Sequence, residues 1–154
     1  MHGRHSFAEI DGIVRTLYEC ISGGDGGQDW ERAAQMYHPR ALITRTRIVD
    51  GRQTAFCFDP DGFREATIPL LAGRSFHEIE TRRKTLKFGQ VAHVLSAYEA
   101  REAPDSPIVE FRGINMIHLW QGSLEEGQPV RWWIMSIIWD NERDGVSINP
   151  HWFD

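Results

Sequence analysis

Between Arg131 and Asp140 the chain runs R-W-W-I-M-S-I-I-W-D, apolar at most positions. A short run rich in Trp and Ile behind a Gly/Pro-bearing loop predicts a strand, since β-branched and aromatic side chains suit a packed, pleated surface. Alternation puts Trp132, Ile134, Ser136, Ile138 and Asp140 on one face and Trp133, Met135, Ile137 and Trp139 on the other. Both faces are largely apolar, so both need cover. Helices of a chain this short cover one, and the other is expected to meet a second copy of the protein, with Trp133, Met135, Ile137 and Trp139 as the homodimer interface.

Upstream, the periodicity is helical first. Ser6 and Glu9 have the spacing of a capping box, and Phe7, Ile10, Ile13, Val14, Leu17 and Ile21 recur along one helix face before Gly23-Gly24 ends it. Asp29 is the expected cap of a second, shorter helix with Trp30, Ala33, Ala34 and Tyr37 on one side and Pro39 as its end. A strand over 41–49, the turn Asp50-Gly51 and a return strand over 53–58 make a hairpin. Asp59-Pro60 starts a third helix, in which Phe63, Ala66 and Leu70 share a face and Pro69 is expected to kink or split the end.

From Ser75 the pattern changes to long strands: 75–88, 91–101 across the reversal Gly89-Gln90, 108–120, and the strand described first. Helices first and an antiparallel meander afterwards predict an α+β domain. The tail over 141–154 is polar until His151-Trp152-Phe153, and these aromatics are expected to bring it back onto the body or a partner. Residues 1–154 read as one domain with tails at 1–5 and 141–154, long enough to bury roughly 70% of the surface of the unfolded chain.

Hydrophobic residues at 41% and charged residues at 25% fit a globular class. A formal net charge of −5 argues against nucleic-acid or anionic-membrane partners. The basic cluster Arg82, Arg83, Lys84 and Lys87 is read as a solvated edge. Cys20 and Cys57 are too few for a disulfide framework and are read as buried thiols, so a cytoplasmic location is expected. No run approaches a membrane span, and Met1–Phe7 lacks the apolar core of a signal peptide.

Four runs carry a resemblance: M-Y-H-P-R-A-L-I from Met36, F-G-Q-V-A-H-V-L-S-A-Y-E from Phe88, F-R-G-I-N-M-I-H-L from Phe111, and the Arg131–Asp140 strand. With the order of elements, they resemble the nuclear transport factor 2-like (NTF2-like) superfamily, whose cystatin-like, cone-shaped fold is shared with ketosteroid isomerases and SnoaL-like polyketide cyclases. The resemblance implies three helices packed on a strongly curved, mainly antiparallel sheet, a pocket inside it, and a homodimer through the outer sheet face. It implies a small hydrophobic ligand and, if the protein is an enzyme, cofactor-free isomerisation, dehydration or cyclisation. The alternative is a non-catalytic binding or interaction domain.

Relatives of this kind often carry polar residues, histidines among them, on the pocket face of the last strand. The corresponding face here is Trp132, Ile134, Ser136 and Ile138, which implies a more apolar cavity. Asp140 at its end is a candidate base, because apolar walls raise a carboxyl pKa, or is an ordinary surface carboxylate paired with Arg143. His93, or Ser96 with Tyr98, and Asn115 or His118 are the interior polar candidates on the neighbouring strands, according to register. Asp140, His93 and Tyr98 are therefore the candidate catalytic residues. The expected pocket is Tyr18, Trp30, Tyr37, Phe63, Asn115, Trp132, Ile134 and Ser136. The seven histidines form no H-x-x-E-H or H-E-x-x-H pair, and no Walker loop, dinucleotide fingerprint or G-x-S-x-G occurs, so neither metal nor cofactor is expected.

Overall fold

The first helix forms where apolar residues recur at helical spacing ahead of Gly23-Gly24. In the computed structural model, which describes residues 4–154, α1 spans Ile10–Ile21 and α2 Trp30–Ala34. Strands β1 (Tyr37–Val49) and β2 (Arg52–Phe58) follow, then α3 (Pro60–Leu71), then β3 (His77–Phe88), β4 (Val91–Arg101), β5 (Phe111–Gly122) and β6 (Arg131–Asn141). They form one six-stranded sheet in the order β2-β1-β6-β5-β4-β3. Every pairing is antiparallel except β1 with β6. The predicted α+β class and mainly antiparallel sheet are what the chain adopts; residues 1–3 of the expected N-terminal tail lie outside the described residues.

One sheet face carries the helices. Ile13, Val14 and Leu17 of α1 pack on Ile43, Val94, Ile117, Ile134 and Trp132, and these side chains form the main core. The hairpin turn Asp50-Gly51 has both residues at positive φ (52° and 75°), the turn whose twist matches paired strands. Asp59 caps α3 through the Gly62 N–H at 2.7 Å, as Asp-Pro foretold.

Several local expectations differ. The capping box does not form: Ser6 Oγ accepts the Ala8 N–H and α1 begins at Ile10, because the chain before it is tied to the last strand by the Trp132 N–H on the Phe7 carbonyl, 2.8 Å. Tyr37 opens β1 rather than closing α2, and Pro39 sits inside that strand where its register with β6 is broken. Helix α3 continues through Pro69 to Leu71 and buries Thr67 and Leu71, leaving Leu70 exposed. Cys57 is exposed on the edge strand β2, while Cys20 is buried.

The C-terminal tail does return to the body. A short 3₁₀ turn over Pro150–Phe153 places the Phe153 ring under the Arg82 guanidinium, and Lys84 donates to the Asp154 carbonyl. Part of the predicted basic edge is thus occupied by the chain's own end. Among the described residues no helix is long and apolar enough to cross a membrane.

Candidate functional site

Two one-residue slips in the sheet decide which side chains face inward. From the Gly89 turn, β3 and β4 pair regularly from Phe88↔Val91 to Arg82↔Ala97. A shift between Glu80 and Arg82 then sets Glu80 opposite Tyr98 and Glu78 opposite Ala100. Continued without the shift, the hairpin register would turn Ile79 inward; the bulge at Thr81 turns Glu78 and Glu80 inward instead. A matching shift in β6, opposite His118 and Leu119, leaves Met135 out of the ladder. Trp132 and Ile134 point inward before this bulge, and Ile137, Trp139 and Asn141 point inward after it. Alternation read straight through Met135 puts the second half of the strand on the wrong faces.

The result is a cavity of about 380 Å³ between the sheet and the helices, a size that suits a small organic molecule. An aromatic wall runs from Trp30 to Phe63 to Trp139, with edge-on ring contacts at 6.0 and 5.7 Å. Leu17, Ile43, Ile137, Leu71, Phe76 and Phe111 belong to the apolar lining as well. The polar lining groups are Glu78, Tyr37, Tyr98, Asn115, Asn141 and Thr67, with Arg45 and Arg47 of β1 and Arg74, the last paired with Glu110 at 3.1 Å.

Glu78 is pinned by its backbone. Its N–H donates to Ser22 Oγ at 3.0 Å, and the isolated bridge Gly23↔Phe76 ties the start of β3 to the end of α1. Its carboxylate has no hydrogen-bond or ion-pair partner among the described residues, and desolvation pushes its pKa up to about 7. Tyr37 likewise lines the cavity with a hydroxyl that bonds to no described group, and its pKa is raised by burial first, with the Cys20 and Glu78 charges adding to it. Burial and then Glu78 raise Tyr98 as well, and its hydroxyl donates to Asn141 Oδ1 at 2.7 Å.

Beneath this wall runs a closed relay. Asn115 Nδ2 donates to the Tyr18 hydroxyl at 3.0 Å, Tyr18 lies 2.6 Å from Ser96 Oγ, and Ser96 donates to Glu80. Since the Ser96 proton goes to the carboxylate, the Tyr18 proton goes to Ser96. Glu80 is clamped by Arg83, which also reaches Asp11 of α1 at 2.9 Å. Ser96 and Asn115, buried polar residues of the central strands, are thereby satisfied.

Of the expected pocket, Trp30, Tyr37, Phe63 and Asn115 line the cavity. Tyr18 belongs to the relay instead. Trp132 and Ile134 are buried in the main core away from the lining, and Ser136 is on the outer face opposite His118. Of the expected interface, Trp133 is on the outer face with its indole N–H on the Gly122 carbonyl at 3.1 Å, and Met135 occupies the bulge. Ile137 and Trp139 are corrected: both face the cavity, because the bulge inverts the strand beyond Met135.

The catalytic candidates divide the same way. Tyr98 is in the cavity. Asp140 is on the outer side, bonded by Arg143 at 2.8 Å; burial works against its charge, but Arg143 and the Asn141 N–H outweigh it and hold its pKa below the usual range. His93 is also outside, its ring 4.9 Å from His118, and desolvation and then the His118 charge lower its pKa. Glu78, Arg45 and Arg47 were missed. The register of the Gly89 hairpin was legible, but the bulge that overrides it for Glu78 has no glycine or proline to mark it. Among the described residues no group of three or more His, Cys, Asp or Glu side chains could hold a metal ion.

No family model matches the chain, and no curated protein does. Solved structures do. An NTF2-like protein of unknown function from Shewanella baltica superposes with a TM-score of 0.54 at 18% identity, over 85% of this chain and 91% of that one. A Shewanella frigidimarina protein provisionally described as a ketosteroid isomerase gives 0.55 at 15% identity, over 90% and 98%. The S. rosetta CaMKII hub gives 0.62 at 11% identity, over 92% and 99%. At such identities the likeness speaks for the fold alone, and with the element order and sheet described above it establishes that this chain has the NTF2-like fold.

Proposed function

We propose that the cavity binds a small, mostly apolar, ring-containing molecule and that Glu78 abstracts a proton from carbon next to a carbonyl of that ligand. The observation that carries this reading is a carboxylate without a partner, facing an apolar hollow, with its pKa raised to about 7. A base poised near neutrality takes a proton and returns it with little loss on either step. The C–H electron pair passes into an enolate, whose oxygen accepts the Tyr37 O–H, and the proton on Glu78 then returns to a different carbon. Tyr37 suits the donor role because its hydroxyl is uncommitted, whereas Tyr98 already donates to Asn141. The reaction class is isomerisation or a related elimination without a cofactor.

The same reading includes a homodimer through the outer sheet face, where Leu42, Met116 and Ile138 are 48%, 46% and 44% exposed. The likeness to a hub domain is consistent with assembly through this fold.

The test is deuterium uptake at the α-carbon of a panel of cyclic ketones such as 2-tetralone in D₂O, followed by proton NMR. The native protein is expected to accelerate exchange, with a rate that rises as pH passes about 7, the value to which burial lifts Glu78, and that is lost in Glu78→Gln. Binding of ketones without accelerated exchange favours the second reading, a non-catalytic ligand-binding domain, for which the specific observation is that Tyr18 and Tyr98 spend their protons internally.

A further inference from the structure

The basic side of the cavity has no counterpart in the proton-transfer chemistry. Arg45 and Arg47 lie two apart on β1, and both line the hollow. Among the described residues no carboxylate pairs with either one. The Arg45 guanidinium stands over the rings of Phe56 and Phe58, at 5.7 and 5.8 Å, which fixes its direction without neutralising it. Its Nε–H is buried with no acceptor, and so is the hydroxyl of Thr67 on the facing helix α3. Desolvation, and then the charge of Arg47, lower the pKa of Arg45.

Arg45, partly withdrawn from water beside the exposed cation Arg47 and without a counter-charge, is held at an electrostatic disadvantage that an anion in the cavity would remove. Glu78 does not do this. It stands on β3, at the far edge of the sheet from β1, and desolvation alone shifts it. The lining therefore carries a carboxyl on β3 and a guanidinium pair on β1, strands far apart in the sheet, while the third cation, Arg74, is already paired with Glu110.

From this arrangement we infer that the ligand carries a carboxylate, held by Arg45 and Arg47 of β1. The ligand class is a single- or fused-ring carboxylic acid whose apolar body lies against Trp30, Phe63 and Trp139. Planar guanidinium forks suit a carboxylate because two parallel N–H···O bonds form at once. This inference rests on the cavity being a small-molecule site, as proposed above, and adds the charge of its occupant.

The test uses matched pairs of acids and their primary amides: phenylacetate, cinnamate, 2-naphthoate and indole-3-acetate against phenylacetamide, cinnamamide, 2-naphthamide and indole-3-acetamide. Binding is measured by calorimetry to the native protein, with neutral aromatic ketones alongside. At least one acid is expected to bind roughly 10- to 100-fold more tightly than its amide, the range for a charge-assisted contact. That preference should vanish in Arg45→Met, and also in Arg47→Gln should the first variant misfold, while Glu78→Gln keeps it. Amides that bind as well as the acids, or ketones that bind where no acid does, overturn the carboxylate and leave the cavity reading standing. If no acid, amide or ketone binds, both fall together.

Discussion

Glu78 illustrates how one side chain couples stability to the site. Its folded pKa of about 7 lies above the ordinary value of 4.5 that the unfolded chain keeps. Below pH 4.5 both states hold the proton and nothing is lost; between 4.5 and 7 only the folded state does, so stability falls as pH rises, and above 7 the loss is constant. Glu78→Gln removes the ionisable group. The variant is expected to be more stable than the native protein at pH 8 by about 1 to 3 kcal/mol, with the gain gone near pH 4.5. Urea unfolding at both pH values checks it, and a gain that persists at acid pH would trace to packing instead. Gly113 is a second residue whose identity is forced. A Cβ there would collide with the Tyr98 hydroxyl, Asn141 Oδ1 and the Asp140 carbonyl, so Gly113→Ala is expected to lose about 2 kcal/mol or more by overpacking and by parting Tyr98 from Asn141.

At the scale of elements, α1 is bolted to the sheet by polar groups as well as by its apolar stripe. Tyr18 reaches Ser96, Ser96 reaches Glu80, and Arg83 carries the connection back to Asp11 at the start of the helix. Ser96→Ala leaves the Tyr18 hydroxyl and the Glu80 carboxylate each short of a buried partner, and a loss of about 1 to 3 kcal/mol is expected in chemical denaturation. The strands supplied a different lesson. The Asp50-Gly51 hairpin, the Gly89 reversal and the run from Arg131 were legible because turn chemistry and apolar runs are local. The face assignments beyond Thr81 and Met135 were not, since a single looped-out residue inverts everything after it.

For the whole molecule, the corrected faces move the proposed interface. Trp139 looks into the cavity against Phe63, so Trp139→Asp is expected to damage folding and ligand binding. The outward side chains Met116 and Ile138 are the ones to charge: Met116→Asp with Ile138→Asp is expected to convert the proposed dimer to a folded monomer in sedimentation velocity, with native circular dichroism. An unchanged dimer from that variant would place the contact elsewhere.

By itself, the sequence determined the number and kind of the main elements, their hairpin turns, the α+β class and the apolar character of the last strand. All of these rest on periodicity and turn residues within a few positions of one another. Only the tertiary structure decided where β3 and β6 slip by one residue, and with that which of Glu78 or Ile79, and of Trp139 or Asp140, faces the hollow. A bulge is placed by the fit of a strand to neighbours distant in the chain and by the bend needed to wrap a cavity, and neither quantity is written in the strand that carries it.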